Sequence, residues 1–305
     1  PPRSTLFPYT TLFRSATLYQ LFQSGGVLEL ATEPRGDYGY NPAKISWELE
    51  MDQLDVQTKI GLVVVSASSI SELRYPRAAP PGVAFLTSRM MLEEGEGIDA
   101  LIKMEGNASR AVGELVSAKV DSVAYCCTVS GALRGMEGDR QFCRELEAQW
   151  GTPITSTMLA VVEALQHMDM KKIVVTTPYP DSHHVAERAY LKEAGIEALT
   201  MQGMGLESAE GFASVRPQEI FDFAMDAWKE YGDEADGLFI SCMNHDGMAA
   251  AQTLEDTIGK PVVTSHSATL WSVLSQAGET EPLPGYGRLL AEPRADRSKN
   301  ATNAV

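Results

Sequence analysis

Two cysteines stand in matching surroundings. In Asp121-Ser-Val-Ala-Tyr-Cys-Cys127 and in Asp236-Gly-Leu-Phe-Ile-Ser-Cys242 an aspartate precedes the thiol by six residues, across a short apolar run. Each run has the length and composition of a buried strand, so each thiol is delivered at a strand's C-terminal end. A free thiol has a pKa of about 8.5 and is mostly protonated at neutral pH. Unpaired backbone N–H groups at a strand-to-helix turn lower that value, and the thiolate can then act as base or nucleophile. Two such thiols on opposite sides of one cleft suit a paired task. One adds to a double bond or removes a proton on one face of a substrate, and the other supplies or removes a proton elsewhere on it. Thr128, Ser68, Ser69 and Ser265, with the backbone N–H groups after each cysteine, could hold carboxylate oxygens. This chemistry needs no metal or organic cofactor.

The plain alternative for a cysteine at a strand end is a small buried hydrophobe. Recurrence at the same place in an internal repeat sets Cys127 and Cys242 apart from it. Cys126 must point to the opposite side of its strand from Cys127 and is read as core, as is Cys143. Tyr179, at a strand end in Thr176-Thr-Pro-Tyr179, is either a hydrogen-bond donor into the cleft or plain packing. His183, His184, His245 and His266 fit no tight zinc spacing. The first two are read as the exposed first turn of a helix and His245 as solvated loop. Gly203-Met-Gly205 lacks the strand–turn–helix context of a phosphate loop.

The elements that position the thiols repeat as well. Lys59-Ile-Gly-Leu-Val-Val-Val65 is matched by Lys172-Ile-Val-Val-Thr-Thr177. Downstream of the cysteines, Gly151-Thr-Pro-Ile-Thr-Ser156 is matched by Gly259-Lys-Pro-Val-Val-Thr-Ser265. Strands are expected at 60–65, 83–87, 120–125 and 153–156, and again at 172–177, 196–201, 236–241 and 262–263. Helices are expected between them: 99–118, 139–149, 157–168, one capped by Asp181 and stopped by Gly195, 217–231, 246–258 and 268–276. Pro76, Pro80-Pro-Gly82 and 203–215 read as loop. Strict alternation implies parallel sheets with right-handed crossovers. The expected fold is α/β, two lobes each with a four-stranded parallel sheet and the active site in the cleft between them, since ligands bind outside the carboxyl ends of such strands. Lobe 1 is placed at 59–155 with 266–291 returning to it, and lobe 2 at 156–265.

Size and composition set outer bounds. The chain has 305 residues, 44% of them apolar, with 25 Lys+Arg against 41 Asp+Glu and a net charge of −16. No basic stripe is available for phosphates, which argues against nucleic acid as a partner, and no run has the roughly 18–20 apolar residues of a membrane span. Four cysteines in a chain this long do not make a disulfide framework, and a reduced, cytoplasmic setting is expected. Thr5-Leu-Phe-Pro-Tyr-Thr-Thr-Leu-Phe-Arg-Ser15 looks like a translated sequencing adapter, so 1–15 is set aside and the native start left open. Residues 16–58 read as an extension with a loop at 36–42 and a short helix or lead-in at 45–54. A polar tail is expected to lack fixed structure from 292 to 305.

The segment from Lys59 to Leu290 resembles the aspartate/glutamate racemase superfamily, in the branch of maleate cis–trans isomerases and arylmalonate decarboxylases. The resemblance is carried by Lys59 to Ser66, Tyr125 to Val129, Val174 to Tyr179, Asp236 to Cys242 and Gly259 to Ser265, with Pro284 to Leu289 closest to the decarboxylases. It implies two pseudosymmetric Rossmann-like lobes and cofactor-independent chemistry. Cys127 falls on the first catalytic cysteine of racemases and isomerases, where the decarboxylases have glycine, and Cys242 on the second, shared one. Thr128 and Val129 fall on the carboxylate-holding stretch and Tyr179 on a carboxylate-binding tyrosine. Ser68, Met243 and Ser265 complete the expected substrate contacts. Two departures stand out. Maleate isomerases carry an asparagine where this chain has Ser68, and a second is expected around Ala209, where none occurs between Gly203 and Arg216. The expected function is a two-cysteine, cofactor-free isomerase of a small carboxylic or dicarboxylic acid, without metal. Alternatives are an arylmalonate-decarboxylase-like lyase, an amino-acid or 2-aryl-acid racemase, and a silent carboxylate binder. The expected partners are the carboxylate substrate and, left open, further copies of the chain.

Overall fold

The computed structural model describes residues 55–93 and 97–298. The adapter-like stretch 1–15, the loop and short helix expected at 36–42 and 45–54, and residues 299–305 lie outside the described residues.

The first sheet contains β1 (Thr58–Val65), β2 (Val83–Met90), β3 (Ser122–Cys126) and β4 (Ile154–Ser156), in the order β2-β1-β3-β4. The second contains β5 (Lys172–Thr177), β6 (Glu197–Gly203), β7 (Gly237–Ile240) and β8 (Val262–Thr264), in the order β6-β5-β7-β8. Every pairing is parallel, and the order is the same in both. The repeat in the sequence is therefore a repeat in space, and the α/β fold of two four-stranded lobes is the one adopted.

The repeated aspartates fix the register of the strands that carry the cysteines. Asp121 accepts the Lys59 N–H at 2.8 Å and its own N–H donates to the Lys59 carbonyl at 2.8 Å. Asp236 accepts from the N–H groups of Lys171 and Lys172 at 2.9 and 2.8 Å and donates to the Lys172 carbonyl at 2.7 Å. Each carboxylate ties a cysteine strand to its central neighbour. A one-residue slip is thereby blocked, which on a strand would turn every side chain to the other face.

The helices are α1 (Ile70–Ala78), α2 (Gly97–Glu105), α3 (Ala108–Ser117), α4 (Thr128–Trp150), α5 (Thr157–His167), α6 (His184–Glu193), α7 (Ala209–Ser214), α8 (Pro217–Tyr231), α9 (Gly247–Ile258), α10 (Ser265–Gln276) and α11 (Arg288–Ala291). Gly151 and Gly259 end α4 and α9 at φ +67° and +70°, the left-handed conformation that glycine adopts without strain. Several expectations are corrected. Pro76 lies inside α1 rather than in a loop. The helix expected over 99–118 is broken at Gly106–Asn107 into α2 and α3. The helix expected from 139 begins at Thr128, with a kink where Gly135 takes φ +67°. The loop at 203–215 contains α7. The tail is in place as far as Ser298: Arg294 is buried and donates to the Glu279 carbonyl, and the Arg297 guanidinium donates to Ser275 Oγ. Guanidinium groups bonded to main-chain carbonyls hold a segment that its polarity alone would release.

One core is shared by the lobes. It joins Ile60, Leu62 and Val64 of β1 with Ile173 and Val175 of β5 through α5 and α10. Each sheet has a second core on its outer side. Helix α10 runs back along β3, where Ser122 Oγ donates to the Val273 carbonyl at 2.9 Å. A buried ionic cluster crosses from α4 to α6. Asp139, fully buried, accepts from the Arg134 guanidinium at 2.7 Å, from Tyr190 Oη at 2.9 Å and from Ser156 Oγ. Removing one member leaves the others buried without a partner, at a cost of roughly 3–5 kcal/mol. Asp139→Ala is therefore expected to lower the unfolding free energy by about that amount, read from urea denaturation midpoints, while Asp121→Ala should cost clearly less because its surroundings are solvated.

Candidate active site

Strand β3 ends at Cys126, whose side chain lies in the shared core, and the next side chain turns to the opposite core. Cys127, with φ −148° and ψ 111°, is the N-cap residue of α4. Its thiol thus sits at the N-terminus of the first segment of α4, which runs to the kink at Gly135, and an anion is stabilised at such an end. Burial raises its pKa, and three influences oppose this: the hydroxyl of Ser130, the Ser130 N–H and the charge of Arg134. Ser130 Oγ is itself buried with no hydrogen-bond partner among the described residues, so it is available to a thiolate. Arg134 is held by Glu105 and Asp139 at 2.5 and 2.7 Å, with its guanidinium 3.9 Å from the Phe142 ring centroid and 4.9 Å from that of Tyr125.

Cys242 lies two residues beyond the end of β7 and has φ +106°, a conformation that an L-residue adopts only under constraint. The constraint is visible. Its N–H donates to Ser265 Oγ at 3.0 Å, and its sulfur accepts the Asn244 N–H at 3.2 Å. Burial pushes its thiol up to about 12, against the lowering effect of hydrogen bonds from Tyr179 and the Asn244 N–H. The negative charges of Cys127 and Glu187 contribute to that rise. At neutral pH Cys242 is protonated.

A chain of hydrogen bonds joins the two lobes at this point. Ser265 Oγ, which accepts from Cys242 N–H, lies 3.2 Å from Thr128 Oγ1 on the residue after Cys127. Tyr179 closes another side, buried between His183 (ring centroids 5.6 Å apart) and Phe212 (5.4 Å). Burial raises the pKa of its hydroxyl, as do the charges of Cys242, Glu187 and Cys127, and the hydroxyl in turn lowers that of Cys242. The structure therefore brings Cys127, Thr128, Tyr179, Cys242 and Ser265 together. Val129 follows on the first turn of α4, half-buried. Ser68 is buried in the turn after β1, its carbonyl accepting from Arg89 at 2.9 Å. Met243 is a correction: its side chain lies in the shared core with its sulfur 3.7 Å from Thr269 Oγ1.

The histidines are corrections too. His184 is buried, with Nε2 2.9 Å from Thr177 Oγ1, because its place on α6 faces inward. His245 is buried against the Phe212 carbonyl at 3.3 Å, and burial lowers its pKa to about 4. No cluster among the described residues is arranged to hold a metal ion.

Asn244 was not singled out by sequence reasoning. Its side-chain oxygen accepts from the N–H groups of Ser69 and Ile70 at 2.9 and 3.4 Å, and its amide nitrogen donates to the Ala209 carbonyl at 2.7 Å. One amide thus bridges the two loops in which asparagines were expected and are missing. Around it α1 clasps the Cys242 loop. Ser71 Oγ donates to the Met243 carbonyl at 3.4 Å, Arg74 pairs with both carboxylate oxygens of Asp246, and Tyr75 donates to the His266 carbonyl at 3.0 Å. The available signal is position, two residues after Cys242.

A hydrogen bond to a charged group is worth roughly 1.5–3 kcal/mol. Tyr179→Phe removes such a bond from the Cys242 thiolate, so the thiol's pKa should rise further. The expected outcome is a fall of roughly tenfold or more in the alkylation rate of Cys242 at fixed alkaline pH, followed by peptide mass spectrometry in a Cys127→Ser background.

The model of the family described as arylmalonate decarboxylase matches residues 60–290. The maleate isomerase of Pseudomonas putida is 27% identical over 250 residues, spanning 76% of this chain and 97% of that protein. The arylmalonate decarboxylase of Bordetella bronchiseptica is 26% identical over 245 residues, spanning 79% and 100%. In fold, the chain is similar to a cysteine-to-serine variant of the Nocardia farcinica maleate cis–trans isomerase with a covalently bound succinylcysteine intermediate, at a TM-score of 0.71 and 23% identity over 77% of this chain and 98% of the other. With a family match across both lobes and both cysteine strands, the chain belongs to the arylmalonate decarboxylase family.

Proposed function

We propose that the protein is a cofactor-independent isomerase of a small unsaturated dicarboxylate of the maleate type, working with Cys127 as nucleophile and Cys242 as proton donor and acceptor. The observation that carries this is the meeting of two thiols from equivalent strand ends in unequal surroundings. Cys127 has a helix N-terminus, Ser130 and Arg134 to stabilise a thiolate. Cys242 is held in its protonated form. A decarboxylation that ends in one protonation requires only one thiol.

The steps balance within the pair. The Cys127 thiolate forms a carbon–sulfur bond to one alkene carbon, and the π electrons move toward the neighbouring carboxylate. Cys242 delivers its proton to the other carbon, giving a succinyl thioether. The former double bond is now single and rotates. The Cys242 thiolate then takes a proton back from that carbon, the carbon–sulfur bond breaks, and the trans alkene leaves with Cys127 restored as thiolate. Thr128, Ser265 and Tyr179 offer donors to carboxylate oxygens in the site, with Val129 and Ser68 at its edge. The four cysteines are free thiols, which suits a reducing, cytoplasmic setting, and none of the helices among the described residues is long and apolar enough to cross a membrane.

Proton NMR in deuterated buffer tests this directly, with maleate, phenylmalonate and a chiral 2-aryl acid in separate tubes. A fumarate signal growing from maleate is expected, lost in both Cys127→Ala and Cys242→Ala while their unfolding transitions stay intact. Cys242→Ser incubated with maleate should gain the mass of one succinyl group on the Cys127 peptide. Near-wild-type turnover in either alanine variant would rule out the two-thiol mechanism. Conversion of phenylmalonate alone would identify a decarboxylase using Cys242, and exchange only at the chiral centre a racemase.

A further inference from the structure

The loop that follows Cys242 is fastened to its neighbours residue by residue. The Met243 carbonyl accepts from Ser71 Oγ at 3.4 Å, His245 Nδ1 lies 3.3 Å from the Phe212 carbonyl, and the Asp246 carboxylate accepts from Nε and Nη2 of Arg74. Each of these ties runs to α1 or to α7. Asn244, buried between them, reaches both. Its Oδ1 accepts from the N–H groups of Ser69 and Ile70 at 2.9 and 3.4 Å, and its Nδ2 donates to the Ala209 carbonyl at 2.7 Å. The grip on α1 is a cap supplied from the other lobe. Ser69 is the N-cap residue of α1, and its own side chain makes no capping bond. The first N–H groups of a helix have no partner inside it, and Asn244 Oδ1 takes two of them.

The main chain of the same residue meets the reactive sulfur. The Asn244 N–H donates to Cys242 Sγ at 3.2 Å. A thiol sulfur is a weak acceptor and a charged one a strong acceptor, so this bond gains most of its strength once Cys242 has given up its proton. In the isomerisation steps that state exists only between the delivery of the proton and its return. A donor already aimed at the sulfur needs no rearrangement at that moment. The aim is fixed from two sides. Cys242, at φ +106°, has its own N–H on Ser265 Oγ at 3.0 Å, and two residues later the Asn244 amide is held by both lobes.

We propose that Asn244 is a positioning residue for Cys242: gripped by α1 of one lobe and α7 of the other, its side-chain amide holds in place the main-chain N–H that stabilises Cys242 as the thiolate. The assignment rests on the reading of Cys242 as proton donor and acceptor, and it names the group that steadies that thiol in its charged state. A side chain that capped α1 and did nothing more would leave the main-chain N–H at position 244 indifferent to its removal.

Amide hydrogen exchange, followed by NMR on the substrate-free protein, tests the placement apart from the isomerase assay. Asn244→Ala keeps the main-chain N–H at position 244 and the Cys242 sulfur, and removes only the side-chain grip. The amides of Ser69 and of position 244 are both expected to exchange roughly tenfold faster or more. Those of Val175 and Phe239, fully buried in the core, should keep their rates. Faster exchange at Ser69 with an unchanged rate at position 244 would make Asn244 a helix cap alone and overturn the proposal. With maleate as substrate, Asn244→Ala should lower kcat roughly tenfold or more with KM little changed, because the thiolate of Cys242 forms only after binding. A loss confined to KM would overturn the proposal as well. If the wild-type protein does not turn over maleate, the isomerase reading fails, while the exchange rates still decide where the amide is held. Should Asn244→Ala fail to fold, Asn244→Asp decides the matter. It keeps the acceptor toward α1 and loses the donor toward Ala209, so exchange at position 244 should quicken while Ser69 stays protected, and a wild-type rate at position 244 would sink the idea.

Discussion

A thiolate inside a protein is an ion taken out of water, and both reactive sulfurs here are buried. The cost of that removal organises the site. Without compensation a buried thiol stays protonated and inert. On the Cys127 side the compensation comes from a helix N-terminus, the Ser130 hydroxyl and N–H, and the Arg134 charge. On the Cys242 side it comes from Tyr179 and one backbone N–H, which leave the balance toward the protonated form. Burial raises both thiols, and the groups that oppose it differ between the two although the side chains are chemically the same.

The two lobes make such asymmetry available within a symmetric frame. Parallel sheets deliver all strand ends to one side, so two equivalent strands can each bring a thiol to a common cleft. The frame is held by elements that belong to neither lobe alone. Helices α5 and α10 share one core, α1 of the first lobe clasps the Cys242 loop of the second, and Ser265 Oγ lies between Thr128 and Cys242. The positive φ of Cys242 is tolerated because its N–H and sulfur are both engaged.

Much of this was legible in the residues. The two four-stranded parallel lobes could be anticipated because the apolar runs are short, separated by helices and repeated in the same sequence of motifs. Cys127, Cys242, Tyr179, Thr128 and Ser265 sit at strand ends or immediately after them, where a period-two pattern stops and position is nearly determined. What escaped was set by tertiary contact. Asn244 is an ordinary loop polar residue until the loops at Ser69 and Ala209 are folded against it. His184, His245 and Glu187 are polar residues in buried places, which local polarity assigns to the surface. For Glu187 a signal did exist: it shares the inward stripe of α6 with His184, Tyr190 and Leu191, at helical spacing. Met243 directly follows Cys242, and a single residue's turn of the chain sends its side chain to the core. The helix break at Gly106–Asn107 and the folded stretch to Ser298 depend on caps and carbonyl contacts that periodicity does not record.

The aspartates that anchor β3 and β7 lie at the opposite ends of those strands from the cysteines. Register is thus decided at one rim of each sheet and chemistry at the other. The carboxylates that tie β3 and β7 to their neighbours therefore stand apart from the loops at the chemical rim. A lineage built this way can exchange one carboxylic-acid reaction for another by altering a handful of rim residues on an unchanged chassis. It can also lose one of its two thiols and keep the fold. The separation makes the scaffold a conservative partner to an inventive site.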